Sequence, residues 1–99
     1  ASPTDVKEEL NNFTFELKQN YPNPFNPSTV INYQLENSGR VSLRVYDILG
    51  TDVATLVDEE KEAGIYNADF DASKLSSGVY FYKLQSGKFV QTRKMILIR

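Results

Sequence analysis

The 99-residue chain contains no cysteine and no histidine. The absence of cysteine excludes a disulfide, a thiolate nucleophile and a cysteine-ligated zinc site. The absence of histidine removes the side chain that most often shuttles protons near neutral pH and most often binds transition metals. Tryptophan is missing too, although six Tyr and six Phe supply aromatic surface for a core. We therefore expect a protein that is not an enzyme and that holds no cofactor and no metal.

Charge and hydropathy argue against nucleic acid and membrane as partners. The net charge is only -2 and charges of both signs are interleaved, so no basic stripe could neutralise a row of phosphates. The longest apolar run, residues 95–98, is far shorter than the ~20 residues of a membrane helix. The N-terminus lacks a charged-then-apolar signal pattern. We expect a soluble chain without membrane insertion, without a nucleic-acid partner and without a general secretory signal.

Short blocks of alternating hydrophobicity predict β-strands. The blocks are residues 13–17, 31–35, 41–45, 53–57, 66–71, 79–85 and 89–99. The acidic stretch 58–62 is interpreted as a solvated loop, and apolar residues on both parities from Met95 onward predict a last strand covered on both faces. About seven strands punctuated every 8 to 12 residues or so are typical of a sandwich. The predicted fold is an all-β, immunoglobulin-like antiparallel β-sandwich of two sheets.

Two segments stand apart from this alternation. Residues 1–12 are polar and charged, which predicts a linker that precedes a single domain over residues 13–99. Pro22, Pro24 and Pro27 fix φ and remove three backbone donors, so no helix or central strand can run through residues 21–28. We predict a stiff loop there that crosses from one sheet to the other.

Tyr80 follows Leu75 and Gly78 near the start of a late strand. This spacing predicts a tyrosine corner, in which the phenol hydroxyl bonds a backbone group a few residues upstream. A ligand-binding role for Tyr80 is the alternative interpretation.

Other side chains allow weaker alternatives. Asp69 and Asp71 share the solvent face of one strand, where they could bind an adventitious calcium ion. Tyr46, Phe81 and Ile65 lie on the outward parity and could form a modest sugar-stacking platform. A glycosidase pair is not expected, because one small sandwich with a filled core offers no cleft.

Five segments in order closely resemble the C-terminal sorting domain (type A) of type IX secretion substrates. They are YPNPFNPST at 21–29, VYDILG at 45–50, AGIY at 63–66, LSSGVYFY at 75–82 and TRKMILIR at 92–99. The resemblance extends over about residues 15–99, which is nearly the whole chain. The pattern is also similar to the immunoglobulin-like domain of flagellar hook-capping proteins, which shares the fold without the sorting role. Phe70 departs from the pattern, because tryptophan is usual before Asp71.

The resemblance implies a domain at the C-terminus of a larger cargo protein of Bacteroidetes-type bacteria. It implies recognition by the type IX translocon at the outer membrane, delivery to the cell surface, and cleavage by a surface sortase in or near residues 1–12. Segments 45–50, 77–80 and 94–99 match its three recurring motifs. The candidate sorting residues are Val45, Asp47, Gly50, Ser77, Gly78, Val79, Tyr80, Arg93, Lys94 and Arg99, and the structural residues are Pro22, Pro24, Phe25, Pro27, Phe70 and Tyr80.

The basic and apolar residues of segment 94–99 suggest how a receptor could recognise such a sorting signal. A receptor could pair with an exposed edge of the last strand while it contacts Arg93, Lys94 and Arg99. The competing functions are a passive immunoglobulin- or fibronectin-like spacer and a carbohydrate-binding accessory module.

Overall fold

The structure, a computed structural model, describes residues 13–99 as seven strands in two antiparallel sheets. The strands are β1 (Glu16–Leu17), β2 (Ser28–Leu35), β3 (Gly39–Tyr46), β4 (Asp52–Lys61), β5 (Gly64–Asp71), β6 (Gly78–Ser86) and β7 (Phe89–Leu97). One sheet has the order β1-β2-β5 and the other β4-β3-β6-β7. The predicted all-β architecture of two sheets is confirmed. Within the described residues, no helix is long and apolar enough to cross a membrane.

The core lies between the sheets and is built by period-2 alternation. Inward residues of β2 and β3 are fully buried while their neighbours are only partly covered. Burying a Val, Leu, Ile or Phe side chain stabilises the fold by about 1.5–3 kcal/mol, so the alternation fixes which face of each strand points inward. The largest fully buried side chains are Leu17, Phe25, Ile31, Tyr33, Leu35, Val41, Leu43, Val45, Tyr82, Leu84, Met95 and Leu97.

The proline-rich segment 21–27 links the two sheets, as predicted. Tyr21 bridges to Val30 in the three-stranded sheet, and Phe25 forms a parallel bridge with Leu97 in the four-stranded sheet. The Phe25 ring is buried and lies 6.1 Å from the Phe70 ring. We call residues 21–27 the strap.

A buried polar cluster holds the start of the strap. The Tyr82 hydroxyl accepts a hydrogen bond from the Asn20 amide and donates one to the Lys18 carbonyl, both at 2.8 Å. The Asn20 side chain donates to Thr29 Oγ1 at 3.0 Å and to the Pro22 carbonyl at 3.1 Å. Burial raises the pKa of Tyr82 above its ordinary value, so the neutral phenol is the form the interior favours.

The predicted acidic loop at 58–62 is wrong for most of its length, because β4 continues to Lys61. Asp58 at the start of this stretch finds a charged partner on β3. Asp58 pairs in register with Ser42, and its carboxylate lies 2.9 Å from the guanidinium of Arg40. Charged side chains are tolerated here because β4 is the edge strand of its sheet, where they also discourage pairing with other chains.

The first predicted strand is shorter than expected. Only Glu16 and Leu17 pair with β2, and Phe15 instead stacks on Phe89 with ring centroids 5.0 Å apart. The linker predicted for residues 1–12 lies outside the described residues.

The prediction that the last strand is covered on both faces is wrong. β7 is the other edge strand of the four-stranded sheet, and it buries Met95 and Leu97 while Ile96 is partly covered and Ile98 is exposed. The apolar residues on the second parity therefore contribute to a surface.

Candidate functional site

Three sequence-distant segments meet at one end of the four-stranded sheet. Segment 45–50 contains the end of β3, segment 77–80 the start of β6, and segment 94–99 the end of β7. The register pairs Tyr46 with Phe81, Phe81 with Lys94, and Val79 with Ile96. These five side chains share the outer face of the sheet, and we call them the motif face.

The motif face is apolar with a basic margin. Tyr46, Val79, Phe81 and Ile96 are only partly covered, and Lys94 is exposed. Lys83 Nζ lies 5.3 Å from the centre of the Tyr46 ring, within the range of a cation–π contact. Neither Lys83 nor Lys94 forms an ion pair with another residue in 13–99. The surface therefore offers apolar area together with two ammonium groups for a partner.

Asp47 and Gly50 build the turn that follows β3. Asp47 Oδ1 accepts hydrogen bonds from the amides of Leu49 and Thr51, each at 2.9 Å. The Gly50 amide donates to the Asp47 carbonyl at 3.0 Å, and the Asp47 amide donates to Thr51 O at 3.0 Å. Gly50 has φ +85°, a left-handed conformation that glycine adopts without a Cβ clash. Their direct role in this structure is to fix a turn.

Tyr80 forms a tyrosine corner by its geometry. Its hydroxyl donates to the Ser76 carbonyl, four residues upstream, at 2.6 Å. Ser77 Oγ accepts from the Arg99 amide at 2.9 Å, which ties the chain's last residue to the same corner. A second tyrosine, Tyr66, donates to the Glu62 carbonyl with the same spacing at 2.6 Å, and sequence reasoning missed it.

The outer edge of β7 is occupied where the receptor was expected to pair with it. The strap covers this edge. The Ile96 carbonyl accepts from the Phe25 amide and the Ile98 amide donates to the Phe25 carbonyl, both at 2.9 Å. The Ile96 amide donates to Asn23 Oδ1 at 3.0 Å, and the Lys94 carbonyl accepts from Gln19 Nε2 at 2.7 Å. The expectation of an exposed edge is therefore wrong for residues 94–98.

Two of the three basic side chains expected to meet a receptor bind the protein itself. Arg93 Nε donates to the Leu17 carbonyl, which joins β7 to β1 across the sheets. Arg99 Nη1 donates to the carbonyls of Ala72, Ser73 and Leu75 in the loop before β6. Lys94 alone of the three points from the motif face into solvent.

The ten candidate sorting residues thus divide into two groups. Most hold the fold: Val45 lies in the core, Asp47 and Gly50 make a turn, Gly78 opens β6, and Ser77, Tyr80, Arg93 and Arg99 make internal hydrogen bonds. Val79 and Lys94 lie on the motif face. Sequence reasoning did not single out Ile96. It grouped Tyr46 and Phe81 with Ile65 as a sugar platform and not with Lys94, because only the register shows which outward residues are neighbours.

The residues predicted to be structural lie in and around the strap. The Pro22 carbonyl accepts from Thr29 Oγ1 at 2.9 Å, and the Pro27 carbonyl accepts from the Ala72 amide at 2.8 Å. Phe25 and Phe70 pack in the core, whereas Pro24 is exposed.

The alternative sites gain little from the geometry. Asp71 Oδ1 accepts from the Ser73 amide at 2.9 Å, so this carboxylate already serves the loop after β5. Residues 13–99 contain no group of three or more side chains that could hold a metal ion. Tyr46 and Phe81 are neighbours, but Ile65 lies on the other sheet, so the expected three-member sugar platform does not form.

Comparison with known proteins identifies the family. No curated protein matches the chain. A family model described as "Secretion system C-terminal sorting domain" matches residues 19–98, which include all seven strands except β1 and the whole motif face. This match covers well over half of the chain and agrees with the resemblance that the five sequence segments indicated. The chain belongs to the family of C-terminal sorting domains that mark proteins for type IX secretion.

Proposed function

We propose that the type IX translocon binds this domain through the motif face, not through the edge of its last strand. The convergence of three recurring segments on one face carries the proposal. Tyr46, Val79 and Lys94 each come from one of these segments. Phe81, two residues after Val79, pairs in register with both Tyr46 and Lys94, although 48 positions separate Tyr46 from Lys94. A receptor that reads this face contacts all three segments without displacing the strap.

The remaining steps follow from the sorting role. The cargo lies N-terminal to this domain in the parent protein. The domain directs that cargo across the outer membrane to the cell surface. A surface sortase then cleaves in or near residues 1–12 and releases or attaches the cargo. The domain itself makes and breaks no covalent bonds. The absence of His and Cys from its sequence supports this non-catalytic role.

The structure changes how the last segment should be tested. Deleting residues 94–99 removes the buried side chains of Met95 and Leu97 together with three strap hydrogen bonds. Loss of several such buried contacts destabilises a small domain by an amount comparable to its whole stability. Export would then fail whether or not a receptor reads the segment, so surface substitutions are needed.

The test uses residues 13–99 fused behind a reporter that carries a periplasmic signal peptide. Wild-type export to the surface or medium should occur in a type IX-competent strain and stop in a strain that lacks the translocon. Lys94→Glu should reduce export at least about tenfold, since a reversed charge in a contact surface costs more than the 1.4 kcal/mol that corresponds to tenfold binding. Lys88→Glu makes the same charge change on the exposed β6–β7 turn, away from the motif face.

Export that survives Lys94→Glu but fails in Lys88→Glu would contradict the assignment of the motif face. Export of the wild-type fusion without the translocon would contradict the sorting role itself. Circular dichroism and thermal melting of both variants should match wild type, because both lysines are exposed.

A further inference from the structure

The turn after β3 is a rigid support for two exposed apolar side chains. Ile48 and Leu49 are 71% and 86% exposed, respectively. They lie between Asp47 and Gly50, whose four hydrogen bonds with the turn backbone and left-handed φ hold the backbone in one conformation. A flexible loop could fold back and bury these side chains against the domain. This turn cannot fold back without breaking its own hydrogen bonds.

Ile48 and Leu49 are the two most exposed large aliphatic side chains of residues 13–99, although Ile65, Val90 and Ile98 are also exposed. The inner faces of both sheets, by contrast, bury aliphatic residues almost completely. Two adjacent large aliphatic side chains on one rigid protrusion are typical of an interaction site, where an anchor enters a partner's pocket with little loss of conformational entropy.

The turn is continuous with the motif face. Ile48 lines a shallow depression of about 290 Å³ together with Tyr46, Phe81, Lys83 and Thr92. Two positive charges border this area, from Lys83 and Lys94. The nearby carboxylates are engaged elsewhere, because Asp47 binds its own turn and Asp52 lies 3.2 Å from Arg44. The surface is therefore complementary to an apolar site with an acidic rim.

We propose that Ile48 and Leu49 form an anchor that inserts into an apolar, acid-rimmed pocket on a protein of the type IX apparatus. The proposal rests on the sorting role and on the motif face described above, and it adds the anchor and the chemistry of its receptor. Asp47 and Gly50 then act as positioning residues that hold the anchor. A protein pocket fits better than a bilayer surface, because the anchor is only two residues wide and is bordered by a concave aromatic surface.

The decisive variant is the double substitution Ile48→Ser/Leu49→Ser in the reporter fusion. Its matched control is Ile65→Ser, since Ile65 is 66% exposed but lies on β5 in the other sheet. Both variants should fold like wild type. Removing two aliphatic side chains from a filled pocket should weaken receptor binding at least about 100-fold, and export should fall accordingly, whereas Ile65→Ser should be exported normally.

A photo-crosslinking amino acid at position 49 identifies the partner. We expect an adduct with a protein of the apparatus in cells that export the fusion, and no such adduct from position 65. An adduct with lipid alone would overturn the protein pocket. Co-flotation of the purified domain with vesicles of outer-membrane lipid extract would also overturn it, if that co-flotation depends on Ile48 and Leu49. Normal export of the double variant would overturn the anchor. The sorting role would still stand in that case, provided that export of the wild-type fusion requires the translocon.

Discussion

Tyr82→Phe removes one hydroxyl group from the centre of the sandwich and tests whether the polar cluster secures the strap. The hydroxyl makes two hydrogen bonds of 2.8 Å, and the Asn20 residue that donates one of them is buried. A buried amide left without its acceptor costs about 1–3 kcal/mol, and the second bond contributes about 1 kcal/mol. The ring itself stays, so no cavity forms. We expect a loss of about 2–4 kcal/mol in the free energy of unfolding.

Thermal and urea unfolding of residues 13–99 measure this loss. For a domain of about this size the entropy of unfolding is about 0.2 kcal/mol/K, so Tm should fall by about 10–20 °C. Tyr46→Phe is the control, because the Tyr46 ring lies on the outer face, and its Tm should change by less than about 3 °C. A Tm for Tyr82→Phe within 3 °C or so of wild type would refute the reasoning.

Three further predictions concern the turn, the C-terminal residue and alkaline pH. Asp47→Ala should lower stability by about 1–2 kcal/mol and reduce export, whereas Asp47→Asn, which retains Oδ1, should restore most of both; equal defects in urea melts and reporter export would contradict the turn geometry. Arg99→Ala should lower stability by about 1 kcal/mol through loss of its loop carbonyl contacts, and unchanged urea unfolding would contradict that role. Burial, together with the nearby Tyr66 and Glu59, raises the pKa of Tyr33 to about 12. In the unfolded chain the same phenol ionises near pH 10. The free energy of unfolding should therefore be unaffected below pH 10 and fall by up to about 3 kcal/mol by pH 12. Tyr33→Phe should flatten that fall in urea melts, and an equally steep fall in the variant would assign it to other groups.

Much of the fold follows from the sequence because alternation reports burial directly. The pattern around Ile31 and Val41 predicted two strands whose inward residues are in fact fully buried. The prolines of the strap excluded regular structure between them, and the segment does cross between the sheets. These features depend on local chemistry, so a single sequence carries them.

The errors have a common physical origin in long-range pairing. Residues 58–61 look like a solvated loop until Arg40 on the neighbouring strand supplies a partner. The apolar run from Met95 looks doubly covered, although on its outer face Ile96 is only partly covered and Ile98 is exposed. No local pattern reveals that Phe25 pairs with Ile96 and Ile98, since 71 positions separate Phe25 from the first of them.

The candidate site shows the same division. The recurring segments could be located in the sequence, but which of their residues face a partner depends on strand register. Val45 and Tyr80 lie inside the motif segments yet point inward, whereas Tyr46 and Phe81 point outward side by side. The family resemblance singled out Val45, Asp47 and Gly50 in segment 45–50, although the side chains that this segment exposes are Ile48 and Leu49.

Cysteine protection measures most directly whether the secretion apparatus contacts the motif face. The chain has no native cysteine, so single cysteines placed at Phe81, Lys94 and Asn67 can each be labelled with maleimide before and after a fusion binds the apparatus. The account predicts strong protection at positions 81 and 94 and an unchanged labelling rate at position 67, on the other sheet. Protection at position 67 with positions 81 and 94 still freely labelled would contradict it.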